Sequence, residues 1–198
     1  MLADLSPSAL IGADPSGTIY VGHPVTRQLW VTDGTLGNTQ QLVTTEEFRG
    51  SSFLLRGSGA MAGTTAVFPC GAVGAGPALC AASTGTVSRL ATVSATVGAT
   101  LQGFTRAASL AFFFLSDGPS GSALWRTDGT AAGTFVLRAG VWKDLQATAT
   151  GVVGQVDNLG VGELWRSDGT VSGTVKVASF LSATARQHPD CRPVRRRR

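Results

Sequence analysis

Four short runs of apolar and β-branched residues recur along the chain: GTIYV (17–21), TTAVF (64–68), SLAFFFL (109–115) and TGVVGQV (150–156). Each is bounded by Gly, Pro, Ser or Asp, which is the boundary pattern of a strand. In LAFFFL the apolar residues do not alternate with polar ones, so that strand is predicted to be covered on both faces.

Downstream of each run a second pattern repeats. ALWRTDGTAAGT (123–134) and ELWRSDGTVSGT (163–174) are nearly the same twelve letters, QLWVTDGTLGNT (28–39) is a third copy, and ALCAASTGT (78–86) is an eroded fourth. Their leucines, Leu29, Leu79, Leu124 and Leu164, are 50, 45 and 40 residues apart. Such a period defines supersecondary units that stack to bury their faces. Four units follow, over about 8–50, 51–97, 98–140 and 141–183 of a domain spanning 1–183.

Inside a unit the motif reads as strand, turn and returning strand. Asp33-Gly34, Asp128-Gly129 and Asp168-Gly169 mark the corner: the Asp can accept backbone amides just downstream, and the Gly can take positive φ at little cost. Gly133 and Gly173 align with Asn38, and Asn is the residue other than Gly that best tolerates the left-handed region. A positive φ is therefore expected at all three positions. Leu29 and Trp30, Leu124 and Trp125, and Leu164 and Trp165 are neighbours on a strand and point to opposite faces. Both faces of each sheet then need apolar partners, as in radially stacked blades.

Composition agrees with short strands and many turns. Gly accounts for 26 of 198 residues and charged residues for 14%, and Gly and β-branched residues form helices poorly. The net charge of +4 changes little, because residues 184–198 hold six arginines and one acid, leaving the body near −1. That tail, RQHPDCRPVRRRR, has no apolar face and is expected to be a disordered, solvated end. No specific nucleic-acid face is indicated. No apolar run reaches the length of a membrane span. The first residues lack the basic and apolar regions of a signal peptide.

The motif resembles the ELWxxDGTxxGT tandem repeat of large bacterial secreted and surface proteins. Residues 123–134 and 163–174 are near its consensus, and the copy at Ala78 is weak. The resemblance implies an all-β, tandem four-repeat β-propeller-like arc or small propeller of antiparallel blades, an extracellular or cell-surface location, and no set of catalytic residues. It also makes MLADLSP (1–7) look like the end of a preceding repeat, as in a fragment of a longer array. The rival reading is an ordinary first strand that closes a ring.

Candidates for chemistry are few. Cys70 and Cys80 align with Leu115 and Trp125, on the two strands of one hairpin. They form either a disulfide or two buried thiols, as strand register decides, while Cys191 is left over in the tail. One carboxylate per turn is too few for a calcium site, so the repeated Asp reads as a turn cap. Asp117 and Asp157 align with each other but with Gly22 and Ala72 elsewhere, and read as loop residues. The turn also resembles the Asp-box of sialidase-type propellers, yet a glycosidase needs two carboxylates flanking the bond, and the adjacent Glu46 and Glu47 diverge. His23 and His188 do not cluster with other ligands, so neither a metal nor another cofactor is expected. The expected function is a non-enzymatic repeat scaffold that binds an unknown protein or glycan, with a piece of a glycan-active hydrolase as the alternative. The sequence pattern specifies no oligomeric state.

Overall fold

The computed structural model describes residues 9–23, 28–42, 59–72, 74–83, 85–158 and 161–181. Four antiparallel sheets of four strands follow one another along the chain. The first contains β1 (Ala9–Ala13), β2 (Ile19–His23), β3 (Gln28–Thr32) and β4 (Gln40–Gln41). The second contains β5 (Ala60–Ala62), β6 (Thr65–Cys70), β7 (Ala78–Ser83) and β8 (Thr86–Thr92). The third contains β9 (Thr100–Ala107), β10 (Leu110–Ser116), β11 (Ala123–Thr127) and β12 (Phe135–Ala139). The fourth contains β13 (Val141–Thr148), β14 (Gly151–Asn158), β15 (Val161–Ser167) and β16 (Val175–Leu181). Each sheet is a meander whose strands pair in sequence order, and the architecture is all-β and propeller-like.

The apolar runs form the second strand of each sheet, and the Leu-Trp motif forms the third. Where β7, β11 and β15 meet the outer strand, the register slips between Leu79 and Cys80, Leu124 and Trp125, and Leu164 and Trp165. A bulge at the same step in three sheets adds local twist to each outer strand. Leu90, Leu137 and Val177 are the extra residues.

Three apolar clusters bind the sheets in order. Leu29 and Tyr20 meet Phe68 and Cys80 between the first and second sheets. Leu79 and Val67 meet Phe113 and Trp125 between the second and third. Leu124, Phe112 and Leu137 meet Trp142, Val152 and Trp165 between the third and fourth. The motif therefore has a direction: its Leu faces the following sheet and its Trp, or the Cys80 that replaces it, faces the preceding one. β10 shows why its run is continuously apolar, since Phe112 packs forward and the adjacent Phe113 packs backward, both fully buried. Burying a side chain of that size contributes about 1.5–3 kcal/mol.

Cys70 and Cys80 are joined by a disulfide with a Cα–Cα distance of 5.7 Å. Cys70 pairs with Ala78 and Cys80 with Phe68, so the bond runs diagonally across one face of the β6–β7 hairpin. It fills the place that Trp125 and Trp165 occupy in the later sheets. Residues 1–7, Glu46, Glu47, His188, Cys191 and the whole 184–198 tail lie outside the described residues, as does the side chain of His23.

Candidate functional site

Two features at opposite ends of the sheets hold most of the ordered polar side chains. The first is the motif turn. Asp128 and Gly129 open a seven-residue connection between Thr127 and Phe135 and do not form a two-residue hairpin loop. The Asp128 carboxylate accepts the Thr130 backbone N–H at 2.9 Å and its hydroxyl at 2.7 Å. The Gly129 N–H donates to Thr127 Oγ1 at 3.0 Å, and Thr127 Oγ1 lies 2.7 Å from Thr134 Oγ1. Asp168, Thr170, Ser167 and Thr174 repeat this arrangement, as do Asp33, Thr35, Thr32 and Thr39. In each turn the carboxylate's Oδ1 accepts both of these bonds from the Thr two residues on.

These hydrogen bonds to the ionised form hold the carboxyls below the ordinary aspartate range. Asp33 is lowered to about 2, chiefly by the Thr35 hydroxyl and then by Asn38. Asp128 is lowered mainly by the Thr130 hydroxyl, and Asp168 mainly by the Thr170 backbone N–H. Such groups cap turns and do not take up protons near neutral pH.

The glycines of the turn differ from the expectation. Gly34, Gly129 and Gly169 have φ near +92°, +92° and +91°, whereas Asn38, Gly133 and Gly173 are not in the left-handed region. The second glycine is required by space: a Cβ on Gly133 or Gly173 would land on the carboxylate of Asp128 or Asp168. Asn38 occupies the same place in the first turn by donating its amide to Asp33 Oδ2 at 2.6 Å.

The turn glycine also docks against the preceding sheet. A Cβ on Gly129 would meet Thr65 of β6 at 2.9 Å, and one on Gly169 would meet Leu110 of β10 at 2.5 Å. Gly34 has open space around it.

The second feature is a cleft of about 410 Å³ at the far end of the sheets, where β12 passes into β13. It is lined by Arg138, Gly140, Asp157, Asn158 and Glu163, with Ala139, Val141 and Val156. The Arg138 guanidinium lies over the Trp165 ring, with Cζ 3.6 Å from its centroid. Glu163 is buried, accepts Trp165 Nε1 at 2.9 Å and pairs with Lys176 at 3.2 Å. The Trp165 hydrogen bond is the main cause, and Lys176 a lesser one, of a Glu163 pKa below the usual value. Asp157 pairs with Lys143 at 3.2 Å. Both carboxylates of the cleft are thus engaged by lysines.

Arg138, which lines the cleft, carries no hydrogen bond or ion pair among the described residues. Beneath the lining, the Trp142 Nε1–H is buried in the core without a partner. That nitrogen lies 3.6 Å from where a Cβ on Gly140 would sit. A buried donor without a partner is costly unless something accepts from it.

Sequence reasoning did not single out Arg138, Trp142, Asn158 or Glu163. Asp157, read as a loop residue, lies within strand β14. Asp117 follows β10 and accepts the Ser94 hydroxyl at 2.7 Å. Two signals were available: Trp142 is the one tryptophan outside a Leu-Trp pair, and the copy at 163–174 alone carries the Glu of the full motif. Among the described residues, no three His, Cys, Asp or Glu side chains gather as metal ligands, and no helix is long and apolar enough to cross a membrane.

No protein-family model matches the chain, and neither does any curated protein. Among solved structures, the chain is similar to one from a structural and mechanistic study of two prolyl endopeptidases and the role of inter-domain dynamics in their catalysis and specificity. Identity is 9% and the TM-score 0.53, with 87% of this chain and 28% of that chain covered. The chain spans less than a third of that protein's length. At this identity the likeness bears on the fold alone, and it supports the propeller-like arrangement of the four sheets.

Proposed function

We propose that this protein is a non-enzymatic binding module of a secreted or cell-surface protein, related to the ELWxxDGTxxGT repeat proteins, and that it takes a carboxylate-bearing glycan in the cleft between its third and fourth sheets. The observation that carries this reading is the Arg138 guanidinium, which lines the cleft, lies over the Trp165 ring and has no hydrogen bond or ion pair among the described residues. With Asp157 and Glu163 held by lysines, the cleft offers one uncompensated positive charge, the Arg138 guanidinium with its fork of donors, to an acceptor-rich ligand. The Cys70–Cys80 disulfide fits an oxidising compartment.

A glycoside hydrolase in this cleft would need a carboxylic acid held protonated near neutral pH. The hydrogen bond from Trp165 and the Lys176 charge drive Glu163 the other way, which favours binding without turnover.

Titration calorimetry with uronate-containing and neutral oligosaccharides tests the proposal. The acidic sugars should bind saturably without being cleaved, Arg138→Ala should abolish binding, and Arg138→Lys, which keeps the charge and loses the planar fork, should weaken it. Cleavage of a glycan by the wild type that is lost in Asp157→Asn, with the fold intact, would overturn it.

A further inference from the structure

The directional stacking leaves two unlike faces without a sheet against them among the described residues. On the fourth sheet the forward face carries Leu164, Val153 and Val177. Val177 is the bulge residue equivalent to Leu137, which is 4% exposed under the fourth sheet, yet Val177 is 55% exposed. On the first sheet the backward face carries Trp30, Val21 and Leu10 in one cross-strand row, and Leu10 is 67% exposed.

These faces are the two halves of a contact the chain makes three times internally. Leu29, Leu79 and Leu124 each meet the backward face of the next sheet, and Leu164 lacks one. Cys80, Trp125 and Trp165 each meet the forward face of the sheet before, and Trp30 lacks one. Gly34 points to the same vacancy independently, because Gly129 and Gly169 dock on the preceding sheet and Gly34 meets nothing.

We infer that two copies of this chain associate head to tail, the Leu164 face of each copy covering the Trp30 face of the other. Two arcs of four sheets then make a ring of eight blades, within the range of closed propellers. Unlike faces that meet across a rotation which closes generate a ring with two identical interfaces. Gly34 of one copy would rest against Gly151 of the other, the residue that takes the place of Thr65 and Leu110 in the fourth sheet.

Sedimentation velocity on the full chain, from low to hundreds of micromolar, tests this together with Val177→Asp and Leu10→Asp. Both positions are exposed within a copy, so folding should survive, as circular dichroism would report. The wild type should be a dimer, and each variant should weaken it by about a hundredfold, since each places a charge in the apolar contact. An equimolar mixture of the two variants should recover a dimer, because one of its two interfaces is then free of substitution. A wild type that stays monomeric throughout, a dimer indifferent to Val177→Asp, or a mixture that fails to recover association would each overturn the proposal. The last result would instead favour like faces meeting, and a monomer would favour further blades on the same polypeptide.

Discussion

Glu163 accepts the indole N–H of Trp165, two residues further along β15, at 2.9 Å. Residues two apart on a strand share a face, so the motif's Glu and Trp are a hydrogen-bonded pair across one pleat, with Lys176 on the neighbouring strand completing it. The copy in the third sheet has Ala123 in place of Glu and Val136 opposite Trp125, and there the Trp125 Nε1–H is buried without a partner.

Glu163→Ala should therefore lower the thermal midpoint by leaving a third indole donor unpaired, after those of Trp125 and Trp142. Ala123→Glu combined with Val136→Lys should raise it, by rebuilding the pair in the third sheet. Ala123→Glu alone should destabilise, since it buries a carboxylate without its lysine. Calorimetric melts of the three variants separate these outcomes.

The turn glycine at 133 allows a test that size alone would misjudge. Gly133→Ala should cost about 1–3 kcal/mol, because the new methyl displaces the Asp128 carboxylate from its partners. Gly133→Asn, though larger, should cost less, because Asn38 shows that the amide can bond the same carboxylate. Urea denaturation would rank the two.

Acid should weaken the protein through these turns. Asp14, Asp33, Asp128, Asp168 and Glu163 all sit below their ordinary values in the folded state. The stability they contribute is complete above the ordinary values, 3.8 for the aspartates and 4.5 for Glu163, and is lost as the pH falls toward about 2, where Asp33 protonates. Denaturation midpoints measured across that window should fall with pH. The slope should be shallower in a variant carrying Asn at positions 33, 128 and 168, which keeps an acceptor that does not titrate.

The disulfide closes a loop with a sequence separation of 10 inside the second sheet. Replacing Cys70 and Cys80 together by Ala should cost about 2–4 kcal/mol, read from denaturant midpoints, with an equal midpoint shift when the wild type is reduced. A midpoint unchanged by reduction would mean the bond contributes nothing beyond filling the space of the missing tryptophan.

The repeat carried most of the fold, because a period of 40–50 residues and two adjacent apolar residues of opposite facing determine four two-sided sheets. Direction was not legible: that Leu124 looks forward and Trp125 back depends on how sheets stack, which no strand pattern encodes. The misplaced positive φ at Gly133 has a similar origin. Gly and Asn share a tolerance for the left-handed region, but they also share compatibility with a neighbouring carboxylate, one by lacking a side chain and the other by bonding it. The cleft was hidden because Arg138, Asp157 and Glu163 come from three strands in two sheets.

Contacts between turn glycines and preceding sheets test the ordered stacking most directly. In methyl-labelled protein, nuclear Overhauser spectra should connect the Gly169 α-protons to the Leu110 methyls and the Gly129 α-protons to the Thr65 methyl. Leu110 and Thr65 methyls that show contacts only within their own sheets would contradict the stacked arrangement.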